Sequence, residues 1–149
     1  MRDARGHQGF TLLEMAVTAG VIALLMTLAV TRWTGYLAIQ RVRQGTIQVA
    51  TDLRQAIERA KSERAEYTVT FVASSSSYVI ARVAGGFTEN TRLPDGVTVT
   101  ASQVVRVSPY GQPVDGAGVR QAYTVTVQNS AGTGNVSVNA TGGVSYTVP

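Results

Sequence analysis

There is no cysteine anywhere in this chain of 149 residues. That excludes a disulfide staple, a thiolate metal centre and a thiol nucleophile, so the fold must be held by packing. Histidine occurs once, at His7, close to the N-terminus. With no second imidazole, the usual general base and the usual metal ligand are nearly missing. Proline is absent before Pro94, so nothing in the first 93 residues breaks a helix by removing an amide donor. Charge is missing from one stretch almost entirely: from Phe10 to Val30 the only ionisable side chain is Glu14.

Those twenty-one residues would span roughly 32 Å as a helix at ~1.5 Å per residue, enough to cross a bilayer core. Arg32 follows at once, where a cation can snorkel to the interface, and Trp33 favours the same depth. A cleaved secretory signal would have a shorter apolar core, although Thr27-Leu28-Ala29 offers small residues for a cut. The leader Met1 to Gly9 carries Arg2 and Arg5 against Asp3, so it supplies +1 of the net +4 and is expected to stay on the cytoplasmic side. Glu14 is the anomaly. A carboxylate in such a run costs on the order of 2–4 kcal/mol on insertion. It is either a charge tolerated near a helix end or the partner of a cation, and a free α-amino group on Phe10, made by cutting after Gly9, would supply that cation.

Beyond Trp33 the pattern becomes amphipathic. Ile39, Val42, Thr46, Val49, Leu53, Ile57 and Ala60 recur at three- and four-residue steps, while Arg41, Arg43, Arg54, Arg59 and Lys61 lie mostly off that stripe. Arg54 and Glu58 are spaced i,i+4 and can pair. The spacing predicts one helix from Phe10 to about Arg64, with Gly35 and Gly45 as soft points costing about 1 kcal/mol each relative to alanine. After Glu66 the period falls to two. Tyr67 to Phe71, Tyr78 to Val83, Val97 to Thr100, Val104 to Val107, Tyr123 to Val127, Val136 to Val138 and Val144 to Val148 alternate apolar with Thr or Ser. Turn signals separate them, at Ala84-Gly85-Gly86, Leu93-Pro94-Asp95-Gly96, Ser108-Pro109-Tyr110-Gly111 and Ala140-Thr141-Gly142-Gly143. The fold class expected is α+β: a long N-terminal helix packed on an all-antiparallel β head with one buried face. The division is leader 1–9, transmembrane helix 10–33, amphipathic helix 34–65 and β head 66–149.

Gly9-Phe10-Thr11-Leu12-Leu13-Glu14, behind a short basic leader and ahead of an apolar helix, resembles the processing site of type IV prepilins and type II secretion pseudopilins. The resemblance implies cleavage after Gly9 by prepilin peptidase and N-methylation of Phe10. It gives Glu14 the role of the assembly carboxylate five residues into the mature chain. It also implies an inner-membrane protein that joins other pilin or pseudopilin subunits in a filament core, with its head outside the cytoplasm. Two family features are missing: many pilin-like heads carry a disulfide, and many type IV pilins have a proline near the end of the apolar run, where this chain reads Ala29-Val30-Thr31-Arg32. The order Leu93-Pro94-Asp95-Gly96-Val97, Val105 to Gly111, Tyr123 to Val127 and Val138 to Val144 is similar to the H-type pseudopilin and FimT-type minor pilin group.

Sites for chemistry are few, and the chain is expected to be a structural subunit without enzymatic activity or cofactor. Ser74 to Ser77 read as a polar turn, because no activating base accompanies them. Asp115-Gly116-Ala117-Gly118 offers calcium one carboxylate where six to eight oxygens are usual. Gly132-Thr133-Gly134 lacks the lysine and following helix of a phosphate loop. Some FimT-like subunits serve in DNA uptake through a C-terminal turn that resembles Gly-Arg-x-Arg. The matching positions here are Gly142-Gly143-Val144-Ser145, without a cation, and Arg82, Arg92, Arg106 and Arg120 are dispersed over other strands. DNA binding and a non-assembling membrane-anchored β domain are the alternatives to a filament subunit.

Overall fold

The computed structural model describes residues 11–149. Its first element is the helix α1, Leu12–Glu63, of 52 residues. The chain divides into two compact units, residues 1–36 and 37–149. In the first, Leu12, Leu13, Met15, Val17, Val21, Ile22, Leu24, Leu25, Met26 and Leu28 are all exposed. This apolar surface surrounds a backbone whose hydrogen bonds are internal, and α1 is long and apolar enough to cross a membrane, with mean hydropathy 2.1 in its most apolar window. Thr18 and Thr27 fold their hydroxyls back onto the carbonyls of Met15 and Ala23, at 3.0 and 2.9 Å, so these polar groups too are satisfied within the helix.

The second unit is a two-sheet head. The strands are β1 Tyr67–Phe71, β2 Ser77–Arg82, β3 Thr88–Arg92, β4 Thr98–Val99, β5 Gln103–Val107, β6 Pro113–Val114, β7 Tyr123–Asn129, β8 Gly132–Val138 and β9 Val144–Thr147. One sheet has the order β3-β2-β1-β5-β6 and the other β4-β7-β8-β9. Every pairing is antiparallel. The alternation explains the layers: Tyr67, Val69 and Phe71 of β1 point inward, and Val125 and Val127 of β7 do the same, with threonines between them on the opposite face. Into the core α1 lays Val42, Thr46, Val49, Leu53, Ile57 and Ala60, all buried. Each large aliphatic side chain so buried contributes about 1.5–3 kcal/mol. Every member of this cluster lies between Val42 and Val138, so the head has a core of its own.

Three local expectations are corrected. Ile39, assigned to the buried stripe, is 40% exposed, and burial begins at Val42. Arg54 does not pair with Glu58. It donates to the carbonyl oxygen of Val144 at 3.0 Å and lies 5.8 Å over the Tyr146 ring, while Glu58 takes Lys61 at 2.8 Å. Two strands also escaped the alternation rule: β3 reads Thr-Glu-Asn-Thr-Arg and has no buried residue, and β6 is two residues long and begins with proline. Both are edge strands, where a half-buried pattern is not required and proline is tolerated.

Exposed sheet edges invite unwanted pairing, and each of the four is occupied in part. The Arg92 carbonyl at the end of β3 accepts the side-chain amide of Gln48 at 2.9 Å, and the Val144 carbonyl on β9 accepts Arg54. The β1–β2 turn pairs with β4 through Ser74 N to Val99 O at 2.8 Å and Val99 N to Ser75 O at 3.0 Å. β6 is covered by its own loop, with a bridge between Val114 and Arg120 and a bond from Gln121 N to Pro113 O at 3.0 Å. The helix thus grips an edge strand of each sheet with one long polar side chain, and Asn129 at the end of β7 returns a bond to the Ala38 carbonyl at 2.7 Å.

The end of α1 is closed by a bond from Ala65 N to Ala60 O at 3.2 Å, with Arg64 between them at φ 47°. Glycine is the usual occupant of that left-handed position, and a side chain there costs on the order of 1 kcal/mol. Close approach elsewhere does require glycine. A Cβ on Gly134 of β8 would lie 1.9 Å from the hydroxyl of Thr46, which is fully buried and donates to the Val42 carbonyl at 2.8 Å. Gly134→Ala should therefore lower head stability by about 1–3 kcal/mol, read as a fall in the urea midpoint, and Thr46→Ala in the same chain should recover part of the loss. An unchanged midpoint for Gly134→Ala would contradict this packing.

Three tyrosines carry a second expectation. Tyr67 donates to Glu63 at 2.7 Å, Tyr78 to Asp52 at 2.5 Å, and Tyr123 to the Val114 carbonyl at 2.7 Å. Burial pushes all three phenols above their ordinary range. The carboxylates beside Tyr67 and Tyr78 add to the rise, as does Asp115 near Tyr123. The unfolded chain releases these protons from about pH 10, whereas the folded head keeps them, so the folded state binds more protons and loses stability as pH rises further. The urea midpoint should fall above about pH 10, with a shallower fall in Tyr78→Phe. A midpoint independent of pH in that range would contradict the burial of these groups.

Candidate functional site

The candidate site is the start of α1, and its geometry follows from Thr11-Leu12-Leu13-Glu14. The first amides of a helix have no intrahelical acceptor, and a hydroxyl before the first turn supplies one. Thr11 does this: its Oγ1 accepts the Glu14 backbone N–H at 3.2 Å, and its carbonyl accepts the Met15 N–H at 3.1 Å. Thr11 is therefore the N-cap and Glu14 the third helical residue, the spacing of a capping box. A carboxylate at that place also faces the positive end of the helix dipole, a contribution of about 0.3–1 kcal/mol. The charge that was anomalous in the apolar run thus sits in the first turn, which softens its insertion cost without removing it. The signal for the cap, threonine three residues before glutamate, was present in the sequence and was not read as one.

The other two expected site residues, Gly9 and Phe10, lie outside the described residues, as does His7. Small residues follow the cap at Ala16 and Gly20 and at Ala19 and Ala23, both i,i+4. Such spacing lets helices approach closely in lipid.

The remaining candidates resolve into structural turns. Asp115 Oδ1 accepts the amides of Ala117 and Val119, each at 2.9 Å, and among the described residues no three His, Asp or Glu side chains converge on a point that could hold a metal. Ser75 closes the serine turn by accepting Ser77 N–H at 3.1 Å and donating to the Ser77 carbonyl at 3.0 Å. Gly132-Thr133-Gly134 is part of β8. In the C-terminal turn Asn139 Oδ1 accepts the amides of Thr141 and Gly143 and the Thr141 hydroxyl, at 2.7–3.0 Å, and Gly142 takes φ 92°. Of the arginines weighed for nucleic acid, Arg106 pairs with Glu66 at 2.9 Å, Arg82 with Glu63 at 3.7 Å and the exposed Arg92 with Asp95 at 3.9 Å, so three of the four have a carboxylate beside them.

Residues 4–30 match the family described as the prokaryotic N-terminal methylation motif. No curated protein and no solved structure matches the chain. The match begins inside the leader and ends with the apolar run, and it contains Gly9, Phe10, the Thr11 cap and Glu14. The chain has the N-terminus of a type IV pilin-like protein.

Proposed function

We propose that this chain is a structural subunit, a minor pilin or pseudopilin, of a type IV pilus-like or type II secretion filament. Prepilin peptidase cuts it after Gly9 and methylates Phe10. Before assembly it sits in the bacterial inner membrane as a single-pass protein, leader inside and head outside the cytoplasm. It then joins other pilin subunits through α1 and does no chemistry of its own. The observation that carries this reading is the one charge of the apolar run, placed in the first turn of a membrane-length helix inside the matched motif. Cleavage after Gly9 would leave an ammonium on Phe10, the one cation in reach of Glu14 along the chain. In apolar surroundings an unpaired charge costs roughly 3–5 kcal/mol, so pairing the two would favour one helix register over others. The small residues at Ala16, Ala19, Gly20 and Ala23 support the same reading, because they leave room for a neighbouring helix. The likeness of the head's turns to the H-type pseudopilin and FimT-type group favours a minor subunit.

The Thr11 cap uses only the backbone N–H of residue 14, so Glu14→Gln and Glu14→Ala both keep it. Glu14→Gln removes only the charge, and Glu14→Ala removes the rest of the side chain as well. Both variants should insert in the membrane and be cut after Gly9, and both should be depleted severalfold in sheared filaments relative to the membrane pool, as measured by immunoblot in the native host. Incorporation of Glu14→Gln at the wild-type ratio would show that the charge is not needed for assembly.

A further inference from the structure

The head carries seven acidic side chains, and each has a partner. Asp52 holds Tyr78, Glu58 Lys61, Glu63 both Tyr67 and Arg82, Glu66 Arg106, Glu89 Arg59 and Asp95 Arg92, while Asp115 holds two backbone amides. The Arg64 guanidinium has no hydrogen bond or ion pair among the described residues, a state it shares with Arg41, Arg43 and Arg120. Arg64 is also the arginine held at φ 47°, where glycine would be easier, and a residue kept in an unfavourable backbone region is a pointer to use of its side chain.

Arg64 lines a cleft of about 600 Å³ with Lys61, Pro109 and Tyr110. Tyr110 is 80% exposed. The turn that presents it is closed by Gly111 N to Ser108 O at 2.8 Å and by Ser108 N to Gln112 O at 2.9 Å, so the ring is held outward by a bonded loop. Gly111, at φ 75°, leaves room for the Lys61 stem, which a Cβ would meet at 2.2 Å. The stem is thereby seated against the turn, and its ammonium is shared with Glu58. The cleft thus offers one uncompensated guanidinium beside an exposed aromatic face and a proline ring.

The geometry points to a binding site for an acidic sugar, a pyranose bearing one carboxylate, with Tyr110 and Pro109 under the ring and Arg64 on the carboxylate. A planar guanidinium matches a carboxylate in a two-pronged bond, and an aromatic face suits the C–H face of a sugar ring. The charge balance favours a monoanion over a nucleic acid. Glu58 lies on the Lys61 side, and the adjoining cleft, which shares Pro109, is lined by Glu66 and Asp115. A polyphosphate would need clustered free cations and would meet three carboxylates instead. This inference does not depend on the filament reading.

The test uses the full chain in phosphatidylcholine nanodiscs, titrated calorimetrically with a galacturonic acid trimer, a neutral galactose trimer and a single-stranded thymidine oligomer. The acidic trimer should bind, and the neutral one at least about tenfold more weakly. Arg64→Gly fits the left-handed position better than arginine, so it removes the guanidinium while the helix end stays closed. It should melt no lower than wild type and lose about tenfold or more in affinity, as should Tyr110→Ala. No binding of the acidic trimer, equal binding of the neutral one, wild-type affinity in either variant, or tighter binding of the thymidine oligomer would overturn the assignment.

Discussion

A carboxylate in an apolar run must find a counter-charge, a hydrogen-bond donor or water, and Glu14 is the only ionisable group between Phe10 and Val30. The structure supplies part of the answer locally. The Thr11 cap fixes where the helix starts, and that start puts the charge three residues in, against the positive end of the dipole. The cap accounts for the place of residue 14 in the helix and not for its charge, because it uses only the backbone amide. What the cap does not use is what an ammonium at Phe10 would need.

The same helix meets a different requirement from Leu37 onward. There its stripe is buried in a head whose second sheet contributes only valines to the core, while the first adds Tyr67, Phe71, Tyr78 and Ile80. The valine layer gains its definition from close approach, as at Gly134 over Thr46, and from the polar fasteners that run from helix to strand. Gln48, Asp52 and Arg54 each reach from α1 to a strand, and two of the three end on edge backbone. Sheet edges that would otherwise be open are thus held by the helix, in a protein with no disulfide to hold them.

How legible this was varied with the range of the interaction. Period-two alternation gave seven strands near their observed places, because burial of one face writes itself into every second residue. The strand Thr88–Arg92 left no such trace, since both of its faces are open, and Pro113–Val114 was too short to show a period. Helical spacing located the buried stripe but put its start one turn early, at Ile39, because the pattern does not say where the sheets begin. The i,i+4 rule paired Arg54 with Glu58, yet a carbonyl ninety residues away prevailed. An exposed helical pair gains only about 0.3–0.5 kcal/mol, and an unpaired edge carbonyl competes easily with that. At the site, Glu14 was legible as the single charge and its cap was legible as a motif. The Arg64–Tyr110 cleft was not, because it joins a helix end to a turn more than forty residues later in a way no local pattern records.

Processing of this N-terminus creates the cation that Glu14 is proposed to meet. The direct measurement is the mass of the N-terminal peptide of the protein extracted from membranes of its native host. A peptide beginning at Phe10 and carrying one added methyl group is the predicted result. A peptide beginning at Met1 or Arg2, with the Gly9–Phe10 bond intact, would contradict the account.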